Sequence, residues 1–171
     1  MTKTALITGA SSGIGMESAK TLARHGFKLV VCGRREDRLL ALKAELSPIT
    51  PVHILVFDVR YQSEVDVAIA SLPSEFATID LLLNNAGNAH GLAPIQNGNT
   101  ADWDYMIDLN VKGLLYLTHA ITPQMVARQS GHIINVGSIA GKEVYANGNV
   151  YCATKHAVDA LTRAMLIDLN P

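Results

Sequence analysis

With 171 residues, 49% of them hydrophobic and 17% charged, the chain suits one domain with a sizeable core and is too apolar to stay disordered. A formal net charge of −1 offers no basic footprint for nucleic acid or an anionic membrane surface. No apolar run reaches the roughly 18 residues that cross a bilayer, and Met1-Thr2-Lys3-Thr4 leads into a strand without an apolar leader, so a cytoplasmic protein is expected.

Short β-rich runs alternate with helical stretches, the pattern of an α/β domain whose parallel sheet is wound with helices on both faces. Thr4 to Thr8 reads as the first strand, and a glycine-rich turn from Thr8 to Gly15 opens a helix to about His25, stopped by Gly26. Lys28 to Cys32 reads as the second strand. Gly33-Arg34-Arg35 then leads into a helix through Leu46, and Ser47 to Pro51 forms a loop with two prolines. His53 to Phe57 is the third strand, Glu64 to Leu72 a helix, and Ile79 to Leu83 the fourth strand. Trp103 to Gln129 forms a long helix in which Pro123 predicts a kink or break. His132 to Val136 is the fifth strand and Val150 to Leu169 the last helix. That fifth strand is expected at a sheet edge with little to cover it, and the stop at Asn170-Pro171 leads us to expect completion by further residues or a partner.

The turn after strand one reads Gly9-Ala10-Ser11-Ser12-Gly13-Ile14-Gly15. Glycines between a strand and a helix let the backbone approach a pyrophosphate at the helix N-terminus, which implies a Rossmann-type nucleotide site. Gly9 allows the turn, Gly13 clears space beside the phosphates, and Gly15 lets the helix pack closely. The spacing is Gly-x-x-x-Gly-x-Gly, and no Gly-Lys-Ser/Thr ends it, so it is not a P-loop. At the end of strand two an acidic residue would bind the adenosine ribose; here Arg34 and Arg35 stand instead. Two guanidinium groups can clamp a phosphate dianion, which favours NADP over NAD. The blander reading is a solvated basic pair at a helix start.

Tyr151 and Lys155 lie four apart on the last helix and share a face. A free phenol titrates at about 10, and a nearby ammonium and an oxidised nicotinamide both favour its phenolate. A tyrosine so placed can exchange a proton with an alcohol or carbonyl oxygen while hydride moves. Ser138, just after strand five, is placed to hydrogen-bond the same oxygen. Competing chemistries fare worse. Val136-Gly137-Ser138-Ile139-Ala140-Gly141 lacks the first glycine of a nucleophile elbow. The six histidines are dispersed, so no metal site is expected, and Cys32 and Cys152 read as buried, reduced thiols.

Taken in order, Thr8 to Gly15, Asp58-Val59, Asn84-Asn85-Ala86-Gly87, Asn110, Ser138, and Tyr151 with Lys155 resemble the short-chain dehydrogenase/reductase family over the whole chain. The stretch Met106 to Lys155 is similar to NADP-dependent 3-hydroxy acid dehydrogenases, which act on serine, allo-threonine and related acids. The resemblance implies an NADP-dependent oxidoreductase with Tyr151 as acid/base. It assigns Asp58 and Val59 to the adenine, and Asn85, Ala86 and Gly87 to the floor beside the adenosine ribose. Asn110 would hold a water in a proton relay to Lys155, and Lys155 would also bind the nicotinamide ribose. With Gly9, Ser11, Ser12, Gly13, Ile14, Gly15, Arg34 and Arg35 these complete the expected site. The resemblance also implies a homo-oligomer, a tetramer or dimer, using the two long helices. Family members continue into further strands and a substrate loop, so the chain ending at Pro171 is expected to bind the adenosine half yet turn over poorly. The alternative is a nucleotide-binding, non-catalytic protein or an inactive fragment.

Overall fold

The computed structural model describes residues 2–169; the closing Asn170-Pro171, on which the reading of the chain end rests, lies outside them. Five strands form one parallel sheet in the order β3-β2-β1-β4-β5. They are β1 (Thr4–Thr8), β2 (Lys28–Gly33), β3 (Val52–Val56), β4 (Leu81–Asn84) and β5 (His132–Asn135). Between them run α1 (Gly13–Arg24), α2 (Glu36–Leu46), α3 (Gln62–Ala70), α4 (Thr100–Ile107) and α5 (Gly113–Ala127), and α6 (Asn149–Asp168) follows β5. The strand order reverses between β1 and β4, so a crevice opens beyond their carboxyl ends.

Alternation along the central strands feeds two cores. Leu6, Val30, Leu55 and Leu82 face a cluster with Val65, Leu117, Ile121 and Met125, so α3 and α5 cover that face. Ala5, Ile7, Leu29, Val31 and Leu83 face Ala19, Ala23, Leu39, Leu42 and Leu46, so α1 and α2 cover the other. Such two-sided burial explains why β1 and β2 read as continuous apolar runs.

Two expectations about the long helix change. It starts earlier, at Thr100, where Asn99 caps it by accepting the Ala101 N–H at 3.0 Å. It also does not break at Pro123, which lies inside α5. Pro123 and His119, whose carbonyl the ring displaces, are both exposed, so water can take that carbonyl. The irregularity sits instead at Asp108–Lys112, a π-helical turn between α4 and α5 that carries Asn110. At the far edge, β5 leaves Ile134 42% exposed. A groove of about 680 Å³, lined in part by Met125, Ile133, Met165 and Leu166, runs beside it.

Leu117 is fully buried between sheet and α5. Leu117→Ala should destabilise the chain by about 2–5 kcal/mol in urea unfolding, whereas Leu40→Ala on the exposed face of α2 should stay within about 0.5 kcal/mol.

Candidate active site

The carboxyl ends of β1 and β4 are tied by one hydroxyl. Thr8 Oγ1 accepts the N–H groups of Asn85 and Ala86, both at 3.0 Å, and donates to the Leu83 carbonyl at 3.4 Å. In return Asn85 Nδ2 donates to the carbonyls of Thr8 at 2.9 Å and Gly9 at 3.3 Å. Gly9 turns the chain with φ +64°. A Cβ on Gly15 would stand 2.6 Å from the Gly9 carbonyl oxygen, so only glycine lets α1 start this close to the strand. At Gly13 a Cβ would meet nothing within 4 Å. Open space therefore lies over the first turn of α1, which holds no acidic residue and no side-chain cap. Unpaired N–H groups and the helix dipole suit an anion there.

Arg34 and Arg35 border the same crevice. Arg35 stands just before α2 without capping it and folds back, its Nη2 donating to Ser11 Oγ at 2.7 Å and Ser12 Oγ at 2.8 Å. Ile14 is exposed one step along α1. Arg34 stands 3.6 Å from the Asp58 carboxylate, and its side chain is half exposed. Asp58 and Val59, just beyond β3, are both buried. Burial pushes the Asp58 carboxyl up, but hydrogen bonds and charge from Arg60, with Arg34 beyond, outweigh it and hold the group below its ordinary value.

The other end of the crevice carries the polar residues of α6. Lys155 is buried, with Nζ donating to the Val136 carbonyl at 2.8 Å, and burial lowers its pKa. Tyr151, one turn earlier, is partly exposed. Ser138 follows β5 and accepts the Ala140 N–H at 3.1 Å, leaving its own hydroxyl proton to donate elsewhere. The Ser138 turn is pressed onto α6, since a Cβ on Gly141 would stand 2.6 Å from the Lys155 carbonyl oxygen. Asn110 uses both amide hydrogens and one lone pair of its oxygen: Oδ1 accepts the Asn88 N–H at 2.9 Å, and Nδ2 donates to the Asn88 carbonyl at 2.9 Å and Thr154 Oγ1 at 3.0 Å. Gly87 lies beside both, its Cβ position 3.0 Å from Asn110 Oδ1 and 3.6 Å from Lys155 Nζ.

The family described as short chain dehydrogenase matches residues 3–171. The chain belongs to that family. The NADP-dependent 3-hydroxy acid dehydrogenase YdfG of Escherichia coli K12 is 44% identical over 165 residues, 96% of this chain and 66% of the relative. A sulfoacetaldehyde reductase of Chromohalobacter salexigens is 44% identical over 170 residues, 99% of this chain and 67% of the relative. The solved closed form of serine dehydrogenase complexed with NADP+ superposes with a TM-score of 0.94 at 44% identity, over 97% of this chain and 66% of that one. The chain thus spans about two thirds of the length of these relatives.

Within this member of the family several site residues escape sequence reasoning. Asn88 and Thr154, and the role of Thr8 beyond opening the glycine turn, rest on hydrogen bonds between segments far apart in the chain, which no local pattern marks. Arg60 had a signal, since it stands two residues after Asp58 and can fold back on it. Among the described residues no group of three or more His, Cys, Asp or Glu could hold a metal ion.

Thr8→Val keeps the shape but orphans the Ala86 N–H and leaves the Asn85 N–H only the Leu83 carbonyl, at 3.1 Å. It should cost about 1–3 kcal/mol for the one amide left unpaired, read in urea unfolding. The Asp58 contribution to stability should be complete above the unfolded carboxyl value of about 4 and fade as pH falls through the lower folded value. Unfolding followed against pH should show this acid limb in the wild type and a shallower one in Asp58→Asn.

Proposed function

We propose that the protein is an NADP-dependent oxidoreductase that moves hydride between the nicotinamide and a small secondary alcohol or its carbonyl. The substrate is a small 3-hydroxy acid such as serine or allo-threonine, or, in reverse, the matching semialdehyde or ketone. The observation that carries this reading is Lys155, buried against the Val136 carbonyl one helical turn from Tyr151, in the crevice whose other end holds Arg34 and Arg35. The residues fit the dinucleotide. Open space at Gly13 and the uncapped start of α1 suit the pyrophosphate, and Arg34 with Arg35 suits the 2′-phosphate.

The bound cofactor supplies or accepts the hydride. Tyr151 Oη gives its proton to the carbonyl oxygen in reduction and takes it back in oxidation. The Lys155 ammonium stabilises the phenolate and holds the nicotinamide ribose. Ser138 donates its free hydroxyl proton to the same substrate oxygen. Asn110, through Asn88 and Thr154, fixes the segment facing Lys155 and holds the relay water. Asp58 and Val59 bound the adenine, and Asn85 to Gly87 form the floor beneath the nucleotide. A small-molecule substrate and a homo-oligomer, tetramer or dimer, belong to this reading. So does a cytoplasmic location, which accords with the buried, unpaired Cys32 and Cys152.

NADPH should bind the chain more tightly than NADH in fluorescence titration. Replacing Arg34 and Arg35 with alanine should weaken NADPH binding by about 1.5–3 kcal/mol for each charged hydrogen bond to the phosphate that is removed, while sparing NADH; equal wild-type affinities would refute the assignment. In the whole protein, Tyr151→Phe should lower kcat at least about 100-fold with 3-hydroxy acids and leave NADP affinity nearly unchanged. A variant that keeps most of its kcat would show that another group carries the proton.

A further inference from the structure

Arg60 is held more firmly than either arginine assigned to the phosphate. Its Nε donates to Asp58 Oδ1 at 3.1 Å and Oδ2 at 3.0 Å, its Nη2 to Oδ2 at 2.7 Å, and its backbone N–H to Oδ1 at 3.1 Å. The guanidinium lies 4.4 Å from the ring centre of Tyr105, in α4, and 5.4 Å from that of Tyr61. Its side chain is 22% exposed, against 52% for Arg34. Arg34 approaches the same carboxylate only to 3.6 Å and the same Tyr105 ring to 6.0 Å.

We propose that Arg60 sets the preference for a 2′-phosphorylated nucleotide by neutralising Asp58, which leaves Arg34 only loosely held, at 3.6 Å, and able to turn to the phosphate. The inference rests on the NADP reading of this site and adds a residue to it. Asp58 lies one side chain away from Arg34, and a bare carboxylate there would act on the phosphate in two ways. It would repel the dianion directly, and it would draw Arg34 into the ion pair that Arg60 now fills. Arg60 is thus a positioning residue. It touches the nucleotide site through Asp58, and the rings of Tyr105 and Tyr61 keep it on that carboxylate.

The test compares adenosine 2′,5′-bisphosphate with 5′-AMP, which differ only in the 2′-phosphate, by calorimetric titration. Wild type should prefer the bisphosphate; no preference would sink the NADP reading itself, whatever Arg60 does. Arg60→Ala should lower that preference roughly tenfold, about 1.4 kcal/mol, with Arg60→Gln doing the same should the alanine variant not fold. Arg60→Lys, which keeps the charge, should retain most of the preference. Removing the carboxylate as well, in Asp58→Asn with Arg60→Ala, should restore it, because no charge then needs neutralising. A merely structural role would weaken both nucleotides equally and would not be rescued by Asp58→Asn. Either of those outcomes, or an unchanged ratio in Arg60→Ala and Arg60→Gln, overturns the proposal.

Discussion

The hydroxyl of Thr8, shared by the N–H groups of Asn85 and Ala86, closes the seam between β1 and β4 where the strand order reverses. Beyond Ile7 and Leu83 the two strands no longer pair with each other. Without the hydroxyl the Ala86 N–H would face the seam with no acceptor, and the Asn85 N–H would keep only the Leu83 carbonyl. With it, the Asn85 amide is held against the Thr8 and Gly9 carbonyls, and α1 can begin within contact distance of Gly9. The glycine-turn end of the crevice is therefore built on a hydrogen-bonded knot rather than on apolar packing.

The same segment leads to the other end. Two residues beyond Ala86, Asn88 is gripped on both backbone groups by Asn110, which reaches on to Thr154 in α6. Thr154 in turn donates to the Tyr151 carbonyl at 2.8 Å, and Lys155 reaches across to Val136 beyond β5. The π-helical turn at Asp108–Lys112 belongs to this chain of contacts, because it is where the long helix presents Asn110 to Asn88. Charges are divided along the crevice. Arginines face solvent and Asp58 at one end, and a single desolvated lysine stands at the other. That division matches a ligand with an anionic end and an end where protons move.

The strands, the glycine turn and the placement of Tyr151 and Lys155 on one helix were legible because they rest on local chemistry. β1 and β2 are buried on both faces and so appear as apolar runs, and Gly9 and Gly26 mark positive-φ turns. Tyr151 and Lys155 needed only the helical repeat. What stayed hidden was tertiary. Pro123 signalled a break that solvent exposure removes, while the real irregularity, at Asn110, has no proline or glycine of its own within the turn. Thr8, Thr154 and Asn88 are ordinary residues whose roles depend on partners up to 78 positions away. The pairing of Arg60 with Asp58 lay within reach of sequence, but its seat on Tyr105 did not.

The central claim is that one crevice holds a whole dinucleotide, phosphate end on the arginines and reactive end on α6. A crystal structure of the protein with NADP+ bound tests it most directly. The 2′-phosphate should lie within hydrogen-bond distance of Arg34 and Arg35, the pyrophosphate over the start of α1, and the nicotinamide ribose against Tyr151 and Lys155. A dinucleotide bound elsewhere, or in this crevice with its nicotinamide turned away from α6, would contradict the account.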